Sequence, residues 1–264
     1  MAKKKRWQKG KAAMMDFSAL EIAYLCNFCS AESVGQDVRL RDSALRDMYS
    51  HNLTYLTQPC SDKDFLSLLQ TEAEIRRTEK MPFLNLTLEF EPTEVMLTRL
   101  RQAAGEHAVY DYYVFGGNSP VARPDCAASP MTIETAPAAL AFDLRCNGKD
   151  FGTDFIRRRF YRRAQVYLGG EILHMLCWHA GRIVGTCDFF LYGNVLKLED
   201  FDVAPEWQRQ GFGTAVLRQL IARGQNLGAK AVYLITDASD TAGEMYQKCG
   251  FLRVGRKHEL LFPV

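Results

Sequence analysis

The residues best placed to do chemistry lie in Leu198 to Gly213, which reads Leu-Glu-Asp-Phe-Asp-Val-Ala-Pro-Glu-Trp-Gln-Arg-Gln-Gly-Phe-Gly. The loop Gln208-Arg209-Gln210-Gly211-Phe212-Gly213 stands directly before Thr214–Leu227, where Leu217, Leu220, Ile221 and Leu227 fall at helical spacing. The first amides of a helix have no internal partner, and the helix dipole puts partial positive charge there, so this junction suits an anion. Two glycines let backbone N–H groups close on a phosphate without a Cβ in the way. Spacing excludes two common phosphate loops. A P-loop needs Gly-Lys-Ser/Thr, whereas Gly213 is followed by Thr214-Ala215. A dinucleotide fingerprint needs a third glycine where Val216 stands.

The elements that must hold this loop are legible around it. Val195 to Val203 alternates in two registers, one carrying Lys197, Glu199, Phe201 and Val203, the other Leu196, Leu198, Asp200 and Asp202. That pattern predicts a strand occupied on both faces, ended at Pro205, which cannot donate to a sheet ladder. Leu173–His179 and Ile183–Leu191 read as strands joined by an Ala180-Gly181 hairpin turn. Ala231–Thr236 suits a further strand and Ala242–Cys249 a helix. Phe251–Val254 and Lys257–Phe262 read as two last strands with Gly255 between them. Ahead of these, Ala139–Cys146 is expected to be a strand, Asn147-Gly148 a turn, and Phe155–Tyr167 a helix whose arginines form a solvated face.

Gln-x-x-Gly-x-Gly after a Val-x-Pro strand end, followed by Ala242-Gly243-Glu244-Met245-Tyr246-Gln247-Lys248-Cys249-Gly250-Phe251, resembles the GNAT superfamily of acyl-CoA N-acyltransferases. That last run is similar to the family's Ala-x-x-x-Tyr-x-x-x-Gly-Phe segment. The resemblance implies an α/β fold with a mixed sheet, the GNAT fold, preceded here by an additional N-terminal α/β domain. It implies acetyl-CoA as donor, its pyrophosphate on the amides of Gln208, Arg209, Gln210, Gly211, Phe212, Gly213 and Thr214. Its pantetheine arm would pair with the main chain of Phe201, Asp202 and Val203, where that strand splays from the next. Acyl transfer to an amine must deprotonate an ammonium, stabilise an oxyanion and protonate a leaving thiolate. The resemblance gives Glu199 the first task, through a water, and Tyr246 the last, with a backbone N–H near Phe201 for the oxyanion. The family often has asparagine seven residues before this tyrosine; Ser239 stands there, a hydroxyl that can substitute in part, with Asp237 and Asp240 near enough in sequence to draw a cationic acceptor. The implied activity is N-acetyl transfer to a primary amine of a small molecule or peptide by direct attack in a ternary complex. The competing class is a non-catalytic acyl-CoA-binding sensor or regulatory protein, against which Glu199 and Tyr246 both count.

The 264 residues suffice for one large domain or two small ones. Hydrophobic content of 47%, charged content of 24% and a net charge of +2 are those of an ordinary globular chain and exclude a strongly electrostatic partner such as nucleic acid. No apolar run reaches the roughly 18 residues of a spanning helix, and no apolar core follows the basic Met1–Lys11 segment as in a signal peptide. The expectation is a cytoplasmic protein without membrane or nucleic-acid partners. Its eight cysteines are expected to be reduced and mostly buried, with Cys26-x-x-Cys29 facing the core, and no metal site is expected because no second cysteine pair follows.

The domain expectation is a flexible basic tail at 1–14, an N-terminal α/β domain at 15–117, a proline-rich linker at 118–137 and the acetyltransferase domain at 138–264. The N-terminal part is read as a helix Phe17–Ser33, a structural His51, a helix Asp62–Arg77, a strand Phe83–Phe90, a helix from Pro92-Thr93 to Ala104 and a strand Tyr110–Phe115. This order leaves open a degenerate copy of the same fold. It has no Gln-x-x-Gly-x-Gly equivalent, so it is expected to bind no cofactor, to set acceptor specificity and to offer the surface for a homodimer.

Overall fold

The computed structural model describes residues 15–117 and 125–264. The basic tail and residues 118–124 of the expected linker lie outside the described residues. The described chain forms two compact units, one made of Asp16–Asp111, Asp237–Ser239 and Gly255–Val264, the other containing Tyr112–Thr236 and Asp240–Val254. Neither unit follows the boundary expected between 117 and 138, because two long strands each begin in one unit and end in the other.

The first unit opens with α1 (Phe17–Leu25), capped by Asp16 Oδ1 accepting from the Ala19 N–H at 3.0 Å. The helix expected to reach Ser33 stops early, since Asn27 Nδ2 donates to the Ala23 and Tyr24 carbonyls at 2.9 and 3.0 Å and takes over the last turn. Ser30–Val34 is instead a strand, β1, paired antiparallel with β2 (Asp37–Arg41) across Gly35 at φ +64°. β3 (Leu53–Leu56) pairs with β2 and runs parallel to β4 (Phe83–Leu88). Between them lies α2 (Asp62–Thr78), and after β4 comes α3 (Glu94–Gln102), capped by Ser61 and Thr93 respectively. Leu84, Leu86 and Leu88 alternate into a core with Phe65, Met96, Leu100, Leu260 and Phe262. β5 (Glu106–Phe115) starts here. His51 is structural as expected: buried, stacked on Phe28 at 4.9 Å, with Nδ1 3.1 Å from Asp42 Oδ2. Only Cys29 of the cysteine pair faces the core, because Cys26 is exposed; none of the eight cysteines, all among the described residues, is in a disulfide.

The second unit comprises β6 (Ala127–Pro130), α4 (Ala136–Phe151), α5 (Thr153–Gly169), β7 (Leu173–His179), β8 (Arg182–Tyr192), β9 (Val195–Val203), α6 (Phe212–Asn226), β10 (Ala231–Asp237), α7 (Ala242–Lys248) and the start of β11 (Phe251–Pro263). Four expectations fail. Ala139–Cys146 is helical, and Asn147-Gly148, expected as a turn, continues the same helix, because Pro137 pre-sets a first turn, Ala138, Ala139 and Ala141 favour helix, and Thr132 and Thr135 exchange side chain to N–H bonds ahead of it. Part of the expected linker is the edge strand β6, paired with β7. The two last strands are one, carried through Gly255. Neighbouring strands run β11-β5-β10-β9-β8-β7-β6, with β9 and β10 parallel and β6 to β9 antiparallel. The expected hairpin between β7 and β8 has Ala180 and Gly181 both at positive φ, +47° and +74°, which suits the twist of the strands. α6 buries Phe212, Ala215, Val216, Leu217, Leu220 and Ile221 against Leu196, Leu198, Val232 and Leu234 of β9 and β10. Leu227 lies past the helix end and is exposed.

Candidate active site

β9 and β10 pair only from Leu196–Val232 and its neighbours up to Leu198–Leu234, although both strands continue for several residues. Beyond Leu198 they part, so the main chain of Phe201, Asp202 and Val203 has no sheet partner on that side. The cause lies one step further along β9. Thr186 faces Asp202 and Asp188 faces Glu199, so Asp200 and Phe201 together oppose the single residue Cys187, a β-bulge. Asp200 sits at φ +47°, an unusual conformation for a residue with a Cβ.

The bulge is held from α5. The Arg163 guanidinium donates from Nη2 to Asp188 Oδ2 at 2.7 Å and from Nη1 to Asp200 Oδ2. Asp188 is fully buried and also receives the Tyr167 hydroxyl at 3.0 Å and His174 Nδ1 at 2.8 Å, while the Tyr167 and His174 rings stack at 4.7 Å. Partial desolvation works against an ionised Asp200, yet the Arg163 charge outweighs it and holds that carboxyl well below the usual range. Arg163 is thus no part of the solvated face expected of α5. Arg157 and Arg158 are exposed as expected, and Arg159 bonds Asp143 at 2.7 Å. A sequence signal for Arg163 exists in retrospect: it shares a helix face with the apolar Ile156, Phe160 and Tyr167.

Beyond Val203 the chain turns through Pro205–Trp207 into the loop. Gln208 Nε2 donates to the Val203 carbonyl at 2.9 Å and Gln210 Nε2 to the Glu206 carbonyl at 2.7 Å, so both glutamine side chains shape the loop. Arg209 and Gly211 take positive φ, +61° and +88°, and Gly211 is the residue at which α6 begins. No side chain caps this helix, and its first internal bond is Ala215 N–H to the Gly211 carbonyl at 3.1 Å. The amides of Phe212, Gly213 and Thr214 therefore have no capping side chain, as a phosphate seat requires. Gly213 itself is small for a different reason than expected: a Cβ there would lie 2.7 Å from Met245 Sδ of α7. Phe212 is wedged against Trp207 at 5.0 Å and His179 at 4.9 Å, which fixes the helix mouth.

The remaining expected residues fall around the fork or beside it. Glu199 is part-buried and its carboxylate lies 2.9 Å from the Lys197 ammonium, which is buried. Asp202 Oδ2 accepts from Asn147 of α4 at 2.9 Å, and burial pushes its carboxyl up. Tyr246 is buried among Tyr113, Phe201 and Phe251, with centroids 5.9, 6.5 and 6.1 Å away. Burial pushes its hydroxyl far above the ordinary tyrosine range, reinforced by the nearby Glu199, Asp202 and Asp240 charges, so it stays protonated. Ser239 belongs to the first unit, where its hydroxyl and N–H both bond Asp237 Oδ1 at 2.6 and 2.7 Å. A forked strand pair, a helix mouth with open amides and a protonated phenol fit a ligand that combines amide, phosphate and thioester groups.

Residues 141–251 match the model of the acetyltransferase (GNAT) family. The chain is similar to the uncharacterized N-acetyltransferase CgeE of Bacillus subtilis (strain 168), 23% identical over 112 residues, which span 40% of this chain and 43% of that protein, less than half its length. Among solved structures it is similar to a functionally unknown conserved protein from Staphylococcus epidermidis ATCC 12228, with TM-score 0.74, 18% identity and coverage of 88% and 92% of the two chains. It is also similar to a GCN5-related N-acetyltransferase from Kribbella flavida, with TM-score 0.66, 18% identity and coverage of 95% and 97%. The likeness to the GNAT acetyltransferase family is thus carried by residues 141–251, less than half of the chain.

Proposed function

We propose that this protein transfers an acetyl group from acetyl-CoA to a primary amine of a small molecule or peptide, by direct attack in a ternary complex. The observation that carries the reading is the fork of β9 from β10, which ends at the uncapped mouth of α6. Acetyl-CoA supplies the activated thioester. The amides of Phe212, Gly213 and Thr214, with the Gln208–Gly211 turn, would hold its pyrophosphate. The freed main chain of Phe201 to Val203 would hold the pantetheine amides, and an N–H near Phe201 would meet the developing oxyanion. Glu199 accepts the acceptor's proton through a water, oriented by Lys197. Tyr246, kept protonated by its burial, gives its proton to the departing sulfur. Acceptor choice we assign to the N-terminal half, as a degenerate copy of the fold that binds no cofactor.

The test is acetyl-CoA turnover, followed by thiol release, against polyamines, amino acids, aminoglycosides and peptide N-termini. Turnover with one amine class supports the reading and names the acceptor. Tight acetyl-CoA binding with no turnover in any class favours a sensor instead.

A further inference from the structure

The fork needs a physical cause, and the β9 bulge supplies it. The last rung between β9 and β10 is Leu198–Leu234, and the extra residue of β9 follows two positions later at Asp200–Phe201. A bulge redirects its strand, so the direction taken by Phe201 to Val203 depends on how Asp200 is held. Asp200 is held at positive φ, uncommon for a residue with a Cβ although aspartate tolerates it better than most. Arg163 holds its carboxylate there. Its two terminal nitrogens bridge neighbouring strands, one on the Asp188 carboxylate of β8 and one on the Asp200 carboxylate of β9. The Asp188 end is fixed, being fully buried and bonded to Tyr167 and His174. The Asp200 end is the adjustable one, with its side chain 42% exposed. A rigid anchor, a planar fork and a strained residue thus lie in series, and a guanidinium suits the task because its donors have fixed relative directions.

We propose that Arg163 is a positioning residue for the acyl donor: by clamping Asp200 to the buried Asp188 it locks the β9 bulge, and so keeps the main chain of Phe201–Val203 open to acyl-CoA. This rests on the acyl-CoA reading above. It gives Arg163 a role in donor affinity even though it need touch neither donor nor acceptor.

The experiment compares wild type, Arg163→Met, Arg163→Lys, Asp200→Ala and Asp200→Gly by calorimetric titration with acetyl-CoA and by donor and acceptor KM. A merely structural residue lowers kcat by lowering the folded fraction, leaving both KM values and the dissociation constant of the folded protein unchanged. A clamp acts on the donor. Arg163→Met and Asp200→Ala are expected to raise acetyl-CoA Kd and donor KM about 10-fold while acceptor KM stays within about twofold. Asp200→Gly loses the carboxylate but accepts positive φ freely, so it recovers much of what Asp200→Ala loses. Arg163→Lys restores charge without the fork and falls between wild type and Arg163→Met. Should Arg163→Met not fold, the part-exposed Asp200 pair carries the same comparison. Donor Kd within twofold of wild type in Asp200→Ala, or equal losses in Asp200→Ala and Asp200→Gly, overturns the clamp. Wild-type protein that does not bind acetyl-CoA overturns instead the reading on which it rests, and the clamp with it.

Discussion

Two properties of Tyr246 bear on the proposed role as acid for a thiolate leaving group. It is buried beside the fork, and its hydroxyl is pushed well above the usual tyrosine range by that burial. Because the shift is upward, the phenol keeps its proton throughout the pH range where amines are free to react. Tyr246→Phe is expected to slow kcat about 10²-fold with acetyl-CoA affinity little changed, read from steady-state kinetics and calorimetry. Unchanged kcat would leave Tyr246 as packing against Tyr113 and Phe251. In the proposed reaction Glu199 has the opposite part, taking a proton, with Lys197 2.9 Å away. Glu199→Gln should slow turnover most at low pH, where the acceptor is an ammonium and must lose its proton, and least at high pH, where the free amine attacks unaided. A pH–rate profile parallel to wild type would move the base to another group.

At the scale of elements, the helix mouth and α7 are coupled through one contact. A valine at Gly213 would bring its Cβ within 2.7 Å of Met245 Sδ and 3.8 Å of Phe201 Cζ. Gly213→Val is therefore expected to cost about 1–3 kcal/mol of stability, measured by denaturant unfolding, and to abolish coenzyme A binding. The two effects separate in Gly213→Val/Met245→Ala. Truncating Met245 makes room and recovers stability, while the branched side chain still crowds the amides at the mouth. Wild-type coenzyme A affinity in that double variant would remove the pyrophosphate from the start of α6. Gly211 differs: φ +88° strains any other residue there.

The whole molecule responds to ligand and to truncation in ways that follow from two units each built from separate stretches of the chain. Acetyl-CoA at about 100 times its Kd should stabilise the fold by roughly 2.7 kcal/mol, seen as a concentration-dependent rise in Tm, while NAD and ATP give little. No rise with millimolar acetyl-CoA, coenzyme A or longer acyl-CoAs would remove the donor assignment. A fragment of residues 138–264 keeps the loop and fork but discards Tyr112–Phe115 of β5, the neighbour of β10, together with β6 and the Gly116 N–H to Gly250 carbonyl bond at 2.8 Å. It should therefore lack native circular dichroism and coenzyme A affinity. A folded, coenzyme A-binding fragment would make β5 dispensable to the second unit. Among the described residues no helix is long and apolar enough to cross a membrane.

Local pattern determined what depends on few neighbours. Alternation from Val195 to Val203, Pro205 after it, the glycines of the loop and the stripe on α6 all act within a turn or two; β9 spans the residues expected, while α6 begins at Phe212 rather than Thr214 and ends before Leu227. The splaying of β9 from β10 was also foreseeable from the family pattern, though its physical origin was not. That origin is a bulge, which exists only in register with a partner strand, and here the partner is Asp188-Cys187-Thr186 of β8. Arg163 was hidden for the same reason. In sequence it is one arginine of a run, and only the fold separates it from Arg157 and Arg158 by turning it toward two carboxylates 25 and 37 residues away. Ala139–Cys146 was misread because its alternating apolar residues suit either period, and Pro137 weighs as a breaker in a proline-rich stretch until it is seen to occupy the first turn of a helix. Gly255 read as an interruption for a similar reason, whereas β11 runs through it into the register that pairs His258 with Leu88 and Pro263 with Phe83. The placing of backbone amides by local spacing was thus written in the sequence, while the burial of charge, the bulge it holds and the sharing of long strands between units were decided by contacts made across the chain.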